Sequence, residues 1–219
     1  MKIFGYLKEI FKLKKFESTL EIGCGIGIIS EFIRKFVPNT HGIDLSEKNI
    51  KFAKSTVKNV QFECVDFLDL NSEIKFELIT LFDVLEHFPK HTYSQVFEKI
   101  RDLSNKETLI AITIPDPDFL SYIKENHPAK LQVIDESIYF DELKSLLDNF
   151  NLEIMKYEKY GIDYDNQYRF YLLNYRKEKF SLEKKLILQR ITIRQLFEKT
   201  TRRIRTILRK VKYRKFLKR

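Results

Sequence analysis

Along most of this chain, apolar residues either alternate with polar ones or recur every three to four positions, in blocks that follow one another. STLEI (18–22) reads as a strand, and IGIISEFIRKF after it as an apolar-periodic helix. HGID (41–44) is a second strand leading into SEKNIKFAKSTV, where Ser46 is placed to cap a helix. VQFEC (60–64) alternates as a third strand. KFELITLFD (75–83) is a near-continuous apolar run of the kind a parallel sheet buries on both faces. A helical pattern from Thr92 to Leu103 precedes TLIAITIP (108–115), another buried strand, stopped by Pro115. FDELKSLLDNF (140–150) is amphipathic and helical. NLEIMKYEKY (151–160) and QYRFYLLNY (167–175) alternate as an antiparallel pair. Strand and helix in series predict an α/β fold, a doubly wound and mostly parallel sheet of seven strands with an antiparallel edge.

Three segments lie outside that rhythm. Residues 1–16 read as a short basic amphipathic helix, without the apolar core and cleavage site of a secretory signal. Residues 115–139 are too long for a routine connection and are expected to form a lid or acceptor-site insertion over the body, residues 17–176. Residues 177–219 are expected to be a basic helical tail. The chain has 219 residues, 43% hydrophobic and 32% charged, as a soluble globular protein does. Its two cysteines, Cys24 and Cys64, lack metal-like spacing and fit a reducing cytoplasm. No apolar run approaches the roughly 20 residues that span a bilayer. The net charge of +9 is unevenly spread: from Arg176 onward there are 18 Lys and Arg against 3 acidic residues, whereas residues 1–175 hold 22 basic and 28 acidic ones. The tail is therefore built to meet an anion, and the body is not.

Between the first strand and its helix, EIGCGIG places Gly23, Gly25 and Gly27 in a tight bend. Such a turn lets a ligand approach bare backbone. The dinucleotide fingerprint is G-x-G-x-x-G, and here the third glycine comes one residue early. Asp44 ends the second strand, where a carboxylate can accept both hydroxyls of a ribose. Asp66 follows the third strand beside Phe67, and the fourth strand ends in LFDVLEH. Glu21, Asp44, Asp66 and Asp83 together predict an acidic cleft, which suits a cationic cofactor and not a pyrophosphate.

In order and spacing, EIGCGIG, GIDLS, VDF and LFDVLEH resemble the class I S-adenosylmethionine-dependent methyltransferases over about residues 17–175. The resemblance implies a Rossmann-like fold and S-adenosyl-L-methionine as cofactor. It implies that Gly23, Gly25 and Gly27 pass beneath the methionine part with Glu21 supporting the loop. Asp44 would take the ribose hydroxyls, Leu45 would pack on the adenine, Asp66 would accept the adenine amino group with Phe67 alongside, and Phe82 would line the sulfonium end. The absence of N-P-P-[YF] after the fourth strand, and the LFDVLEH sequence, are similar to small-molecule, sugar and quinone methyltransferases. NHPAKLQVIDE and GIDYDNQYRFYLL are similar to enzymes of bacterial surface-glycan assembly, so the implied acceptor is a sugar hydroxyl of a glycan or its lipid-linked precursor.

A hydroxyl acceptor benefits from a base, and histidine has the suitable resting pKa. His41 lies within a strand and reads as structural. His87, at the carboxyl edge, is either a base or a hydrogen-bonding partner of the loop backbone; His127, in the long insertion, either lines the acceptor site or is structural. No metal is expected. An alternative set of Asp83, Glu86 and His87, with His91 one turn on, resembles the E-x-x-E-H of quinone-biosynthesis O-methyltransferases, where a divalent ion assists. In the tail, Ile204, Ile207, Leu208 and Val211 recur at helical spacing among Arg and Lys. An anionic membrane surface met through residues 181–219 is the leading partner, ahead of packing in a homodimer or nucleic acid. The enzyme would then be cytoplasmic and peripheral at the inner face of the membrane. The rival from another class is a nucleic-acid-binding module that keeps the fold without turnover.

Overall fold

We describe residues 2–176 from a computed structural model of the chain. The basic tail anticipated over 177–219, including its apolar stripe, lies outside the described residues. Seven strands form one sheet: β1 (Ser18–Ile22), β2 (Asn39–Asp44), β3 (Gln61–Cys64), β4 (Phe76–Phe82), β5 (Ser104–Pro115), β6 (Leu152–Tyr160) and β7 (Tyr168–Tyr175). Their spatial order is β3-β2-β1-β4-β5-β7-β6. The first five run parallel, and β7 sits antiparallel between β5 and β6. Strand order reverses between β1 and β4, so the carboxyl ends of β1, β2, β3 and β4 open on one crevice, the place where such sheets take ligands.

Six helices flank the sheet among the described residues: α1 (Lys2–Leu13), α2 (Ile28–Ile33), α3 (Glu47–Thr56), α4 (Tyr93–Asp102), α5 (Pro117–Asn126) and α6 (Phe140–Asn149). The two-residue period of the strands sorts their side chains. Ile79, Leu81, Tyr171 and Leu173 join Val96, Phe97 and Ile100 of α4 and Leu143 and Leu147 of α6 in one buried cluster. Leu78, Phe82, Phe170 and Leu172 turn to the other face, where they meet Ile33 of α2 and Ile3, Tyr6, Leu7 and Ile10 of α1. The N-terminal helix is thereby fused into the core, and Tyr6 stacks on Phe170 with ring centres 3.9 Å apart.

Each sequence block maps onto an element, with Ser46 capping α3 through a bond accepted from the Asn49 amide at 3.3 Å. The segment 115–139 is different from an open loop. Asp116 caps α5 by accepting from the Asp118 amide, and Pro117 sits at the first helical position, where its fixed φ suits a helix start. Asp116 also accepts from Arg169 Nε at 2.7 Å and lies 2.9 Å from Lys159 Nζ, and these contacts tie α5 to β6 and β7. Leu7 of α1 is fully buried. Replacing it with Ala should cost about 2–4 kcal/mol of stability in urea unfolding; a loss below about 1 kcal/mol would mean that α1 is not part of the core.

Candidate active site

The chain leaves β1 through a bend in which Gly23, Gly25 and Gly27 all have positive φ, at 69°, 54° and 84°. At Gly23 the requirement is double, since a Cβ there would also meet Val84 Cγ2 at 2.3 Å. Gly27 precedes α2 in the left-handed conformation with the Phe62 ring against it. The bend is held to the neighbouring strand by two bonds: the Cys24 amide donates to the Ile43 carbonyl at 2.9 Å, and the Gly25 amide donates to Asp44 Oδ2 at 2.8 Å. Asp44 Oδ1 accepts from the Ser46 amide at 2.8 Å. A carboxylate has about four acceptor positions, so Asp44 keeps capacity for a ligand.

A cavity of about 640 Å³ lies along the carboxyl ends of β1 to β4. Of the residues anticipated from sequence, Gly23, Asp44, Leu45, Asp66, Phe67 and His87 line it. Asp66 Oδ1 accepts from the Leu68 amide at 2.9 Å, starting the short turn Phe67–Asp69. Phe67 is buried beneath, whereas Leu45 is 72% exposed. Asp83 supplies a third carboxylate to the wall, and among the described residues no Lys or Arg lines it. The donor set therefore fits a cationic nucleoside and is poorly suited to a diphosphate.

Several anticipated residues stand elsewhere. Phe82 does not line the cavity; the strand alternation turns it into the cluster under α1, and Asp83 and Val84 take the wall instead. Gly25 and Gly27 lie behind the wall in the bend. Glu21, 2% exposed, alternates away from the cavity and accepts from the Ser30 hydroxyl of α2. Burial pushes its carboxyl up to about 8, opposed by the Ser30 bonds. His127 closes the end of α5 with its ring 5.7 Å from Tyr122 and does not reach the cavity. Among the described residues, no three His, Cys, Asp or Glu side chains are arranged to hold a metal ion. Asp83 accepts from the Thr113 hydroxyl at 2.7 Å, and Glu86 is buried with Oε2 unpartnered among the described residues. Desolvation raises both carboxyls, and the charges of Asp83 and Asp135 disfavour ionisation at Glu86 further.

Sequence reasoning missed the approach of residues 132–136 to the fourth-strand loop. Gln132 lines the cavity, and the Glu136 amide donates to the Glu86 carbonyl at 2.9 Å. His87 Nδ1 lies 2.7 Å from the Ile134 carbonyl oxygen and 3.5 Å from Asp135 Oδ1. The partners are 47 residues apart in sequence, and no local motif announces the pairing.

A family described as a methyltransferase domain matches residues 2–157. The chain belongs to that family. It is 33% identical over 89 residues to the ubiquinone biosynthesis O-methyltransferase of Coxiella burnetii, covering 38% of each chain. It is 37% identical over 79 residues to the mitochondrial enzyme of the same name from Saccharomyces cerevisiae, covering 32% of this chain and 25% of that one. The chain thus spans well under half the length of these relatives. Among solved structures, an S-adenosylmethionine-dependent methyltransferase from Clostridium acetobutylicum superposes with a TM-score of 0.65 at 15% identity, over 80% of this chain and 90% of that one, and so shares the fold.

The raised Glu21 carboxyl has a consequence for stability. Between the ordinary carboxylate value of 4.5 and about 8, the folded protein holds a proton that the unfolded chain has released, so stability falls as pH rises through that window. Glu21→Gln keeps the oxygen facing Ser30 and cannot ionise. Its melting temperature should fall less steeply from pH 5 to pH 8.5 than that of the wild type; parallel curves would show that Glu21 does not titrate in this window.

Proposed function

We propose that this protein is an S-adenosyl-L-methionine-dependent methyltransferase that methylates a hydroxyl oxygen. The observation that carries the reading is the acidic cavity across the β1–β4 strand ends with His87 fixed in its wall. When bound, the cofactor supplies a methyl group already activated on a positively charged sulfur. Gly23 offers bare backbone to the methionine part. Asp44 would take the ribose hydroxyls, Asp66 would accept from the adenine amino group with Phe67 alongside, and Leu45 would pack on the adenine. The carboxylates of Asp44, Asp66 and Asp83 would favour that positive charge, and the strand ends would hold these groups in place.

His87 removes the acceptor proton. A carbonyl oxygen only accepts, so the neutral ring carries its hydrogen on Nδ1, toward Ile134, and keeps the lone pair on Nε2. Nε2 is then the basic atom, and Asp135 Oδ1, 3.5 Å from Nδ1, lies on the side of the ring away from it. Tying His87 to residues 132–136 couples the base to the insertion that borders the cavity.

The acceptor in this reading is a sugar hydroxyl of a surface glycan or its lipid-linked precursor. Asp163, Asp165 and Asn166, exposed on the β6–β7 turn, are suited to hydrogen-bond sugar hydroxyls, and residues 181–219 would bring the enzyme to an anionic membrane. Among the described residues no helix is long and apolar enough to cross a membrane. A second reading, methylation of a phenolic quinone precursor, is favoured by the names of the two relatives.

Calorimetry with S-adenosylhomocysteine tests the cofactor: Asp44→Ala should abolish a heat that the wild type gives, and equal affinities would sink the assignment. His87→Ala should keep that affinity and lose about 10²–10⁴-fold in transfer rate. Transfer of labelled methyl to lipid-linked glycans, insensitive to a chelator, supports the sugar acceptor. Transfer only to a prenylated catechol would replace it with the second reading.

A further inference from the structure

On the sheet face covered by α1 and α2, four phenylalanines form a continuous ridge. Phe4 lies against Phe32 with ring centres 4.6 Å apart, Phe32 against Phe36 at 5.3 Å, and Phe36 stacks on Phe11 at 4.6 Å. Phe36 is 48% exposed and the other three are half-buried. Helical spacing puts Phe4, Lys8 and Phe11 along one stripe of α1, with Lys12 beside it, and Lys15 follows just past the end of the helix. Lys8, Lys12, Lys15 and Lys35 are exposed and have no carboxylate partner among the described residues. The acids nearby are engaged, Glu31 with Arg34 at 3.7 Å and Glu9 with Lys156 at 2.7 Å. The remaining surface is a lysine field around an apolar aromatic seam.

We propose that this α1–α2 ridge docks on an anionic lipid surface, with the rings at the level of the headgroups and the lysines against phosphate. It goes beyond the membrane contact proposed above, which concerns residues 181–219, and it would orient the folded body on the bilayer. Aromatic side chains favour the interface, and a cationic face supplies attraction that a neutral bilayer cannot answer. Nucleic acid is a weaker fit for the same charges. Bases stack on free ring faces, and here Phe11 and Phe36 spend theirs on each other at an interplanar angle of 17°. A second copy of this chain would set like charges against one another.

The chain has no tryptophan, so one introduced here reports alone. Full-length Phe36→Trp mixed with vesicles containing phosphatidylglycerol should emit at shorter wavelength and be quenched by brominated acyl chains. Gly5→Trp, on the outward side of α1 with nothing within 4 Å of an added Cβ, serves as a second reporter if the first does not fold. Tyr157→Trp, packed on the opposite sheet face with Tyr171 and Phe140, should give neither signal. Adding Lys8→Glu, Lys12→Glu and Lys35→Glu to the reporter should remove both, as should phosphatidylcholine vesicles or high salt. If the protein pellets with vesicles while the ridge reporter stays unquenched, residues 181–219 alone carry attachment and this proposal falls. A wavelength shift without vesicles that tracks dimer mass, or quenching by an RNA oligomer and not by bromolipid, overturns it equally.

Discussion

The hydrogen bond from the Gly25 amide to Asp44 Oδ2 is the contact on which the site depends. It joins the bend after β1 to the end of β2, two strands that the parallel register already places side by side, with Ile22 opposite Ile43. A bend containing three positive-φ residues has little preference of its own for one shape. The carboxylate selects one by accepting from the loop on one oxygen and from the Ser46 amide, at the start of α3, on the other. A side chain in the cavity wall thus also braces the backbone that frames the cavity, so wall and loop share one anchor. Loss of that carboxylate would disturb both.

The rest of the wall follows from where parallel strands stop. Asp66 and Asp83 stand just past β3 and β4, where the backbone turns out of the sheet and the carboxylates are set by strand ends. Asp83 takes a positive φ of 57°, uncommon for a residue with a side chain, and its amide and carboxylate are both tied to Thr113 of β5. A rigid sheet therefore supplies three negative groups at fixed spacing. His87, beside them in the wall, is held from the far side by the Ile134 carbonyl of the insertion.

Much of this was legible in the residues because periodicity fixes which side of a strand each side chain occupies. The seven strands, the cap at Ser46 and the carboxylates at the strand ends all follow from local pattern. Phe82 departs from the role that the resemblance implies, because the alternation through Leu78, Thr80 and Phe82 turns it toward α1. Asp116 followed by Pro117 is a start signal for α5, but the length of 115–139 reads as an insertion and hides it. The bond between His87 and Ile134 had no sequence signature at all. It depends on how far α5 carries the chain before it returns, which is a property of tertiary packing.

The two borders of the sheet differ in how they refuse company. β3 is only four residues long, and β6 breaks register between Ile154 and Lys156 and carries Glu153, Lys156, Glu158 and Lys159 along its length. A short border and a kinked, charged one are poor templates for adding a foreign strand. The body is in this way protected against fibril-like stacking at high local density.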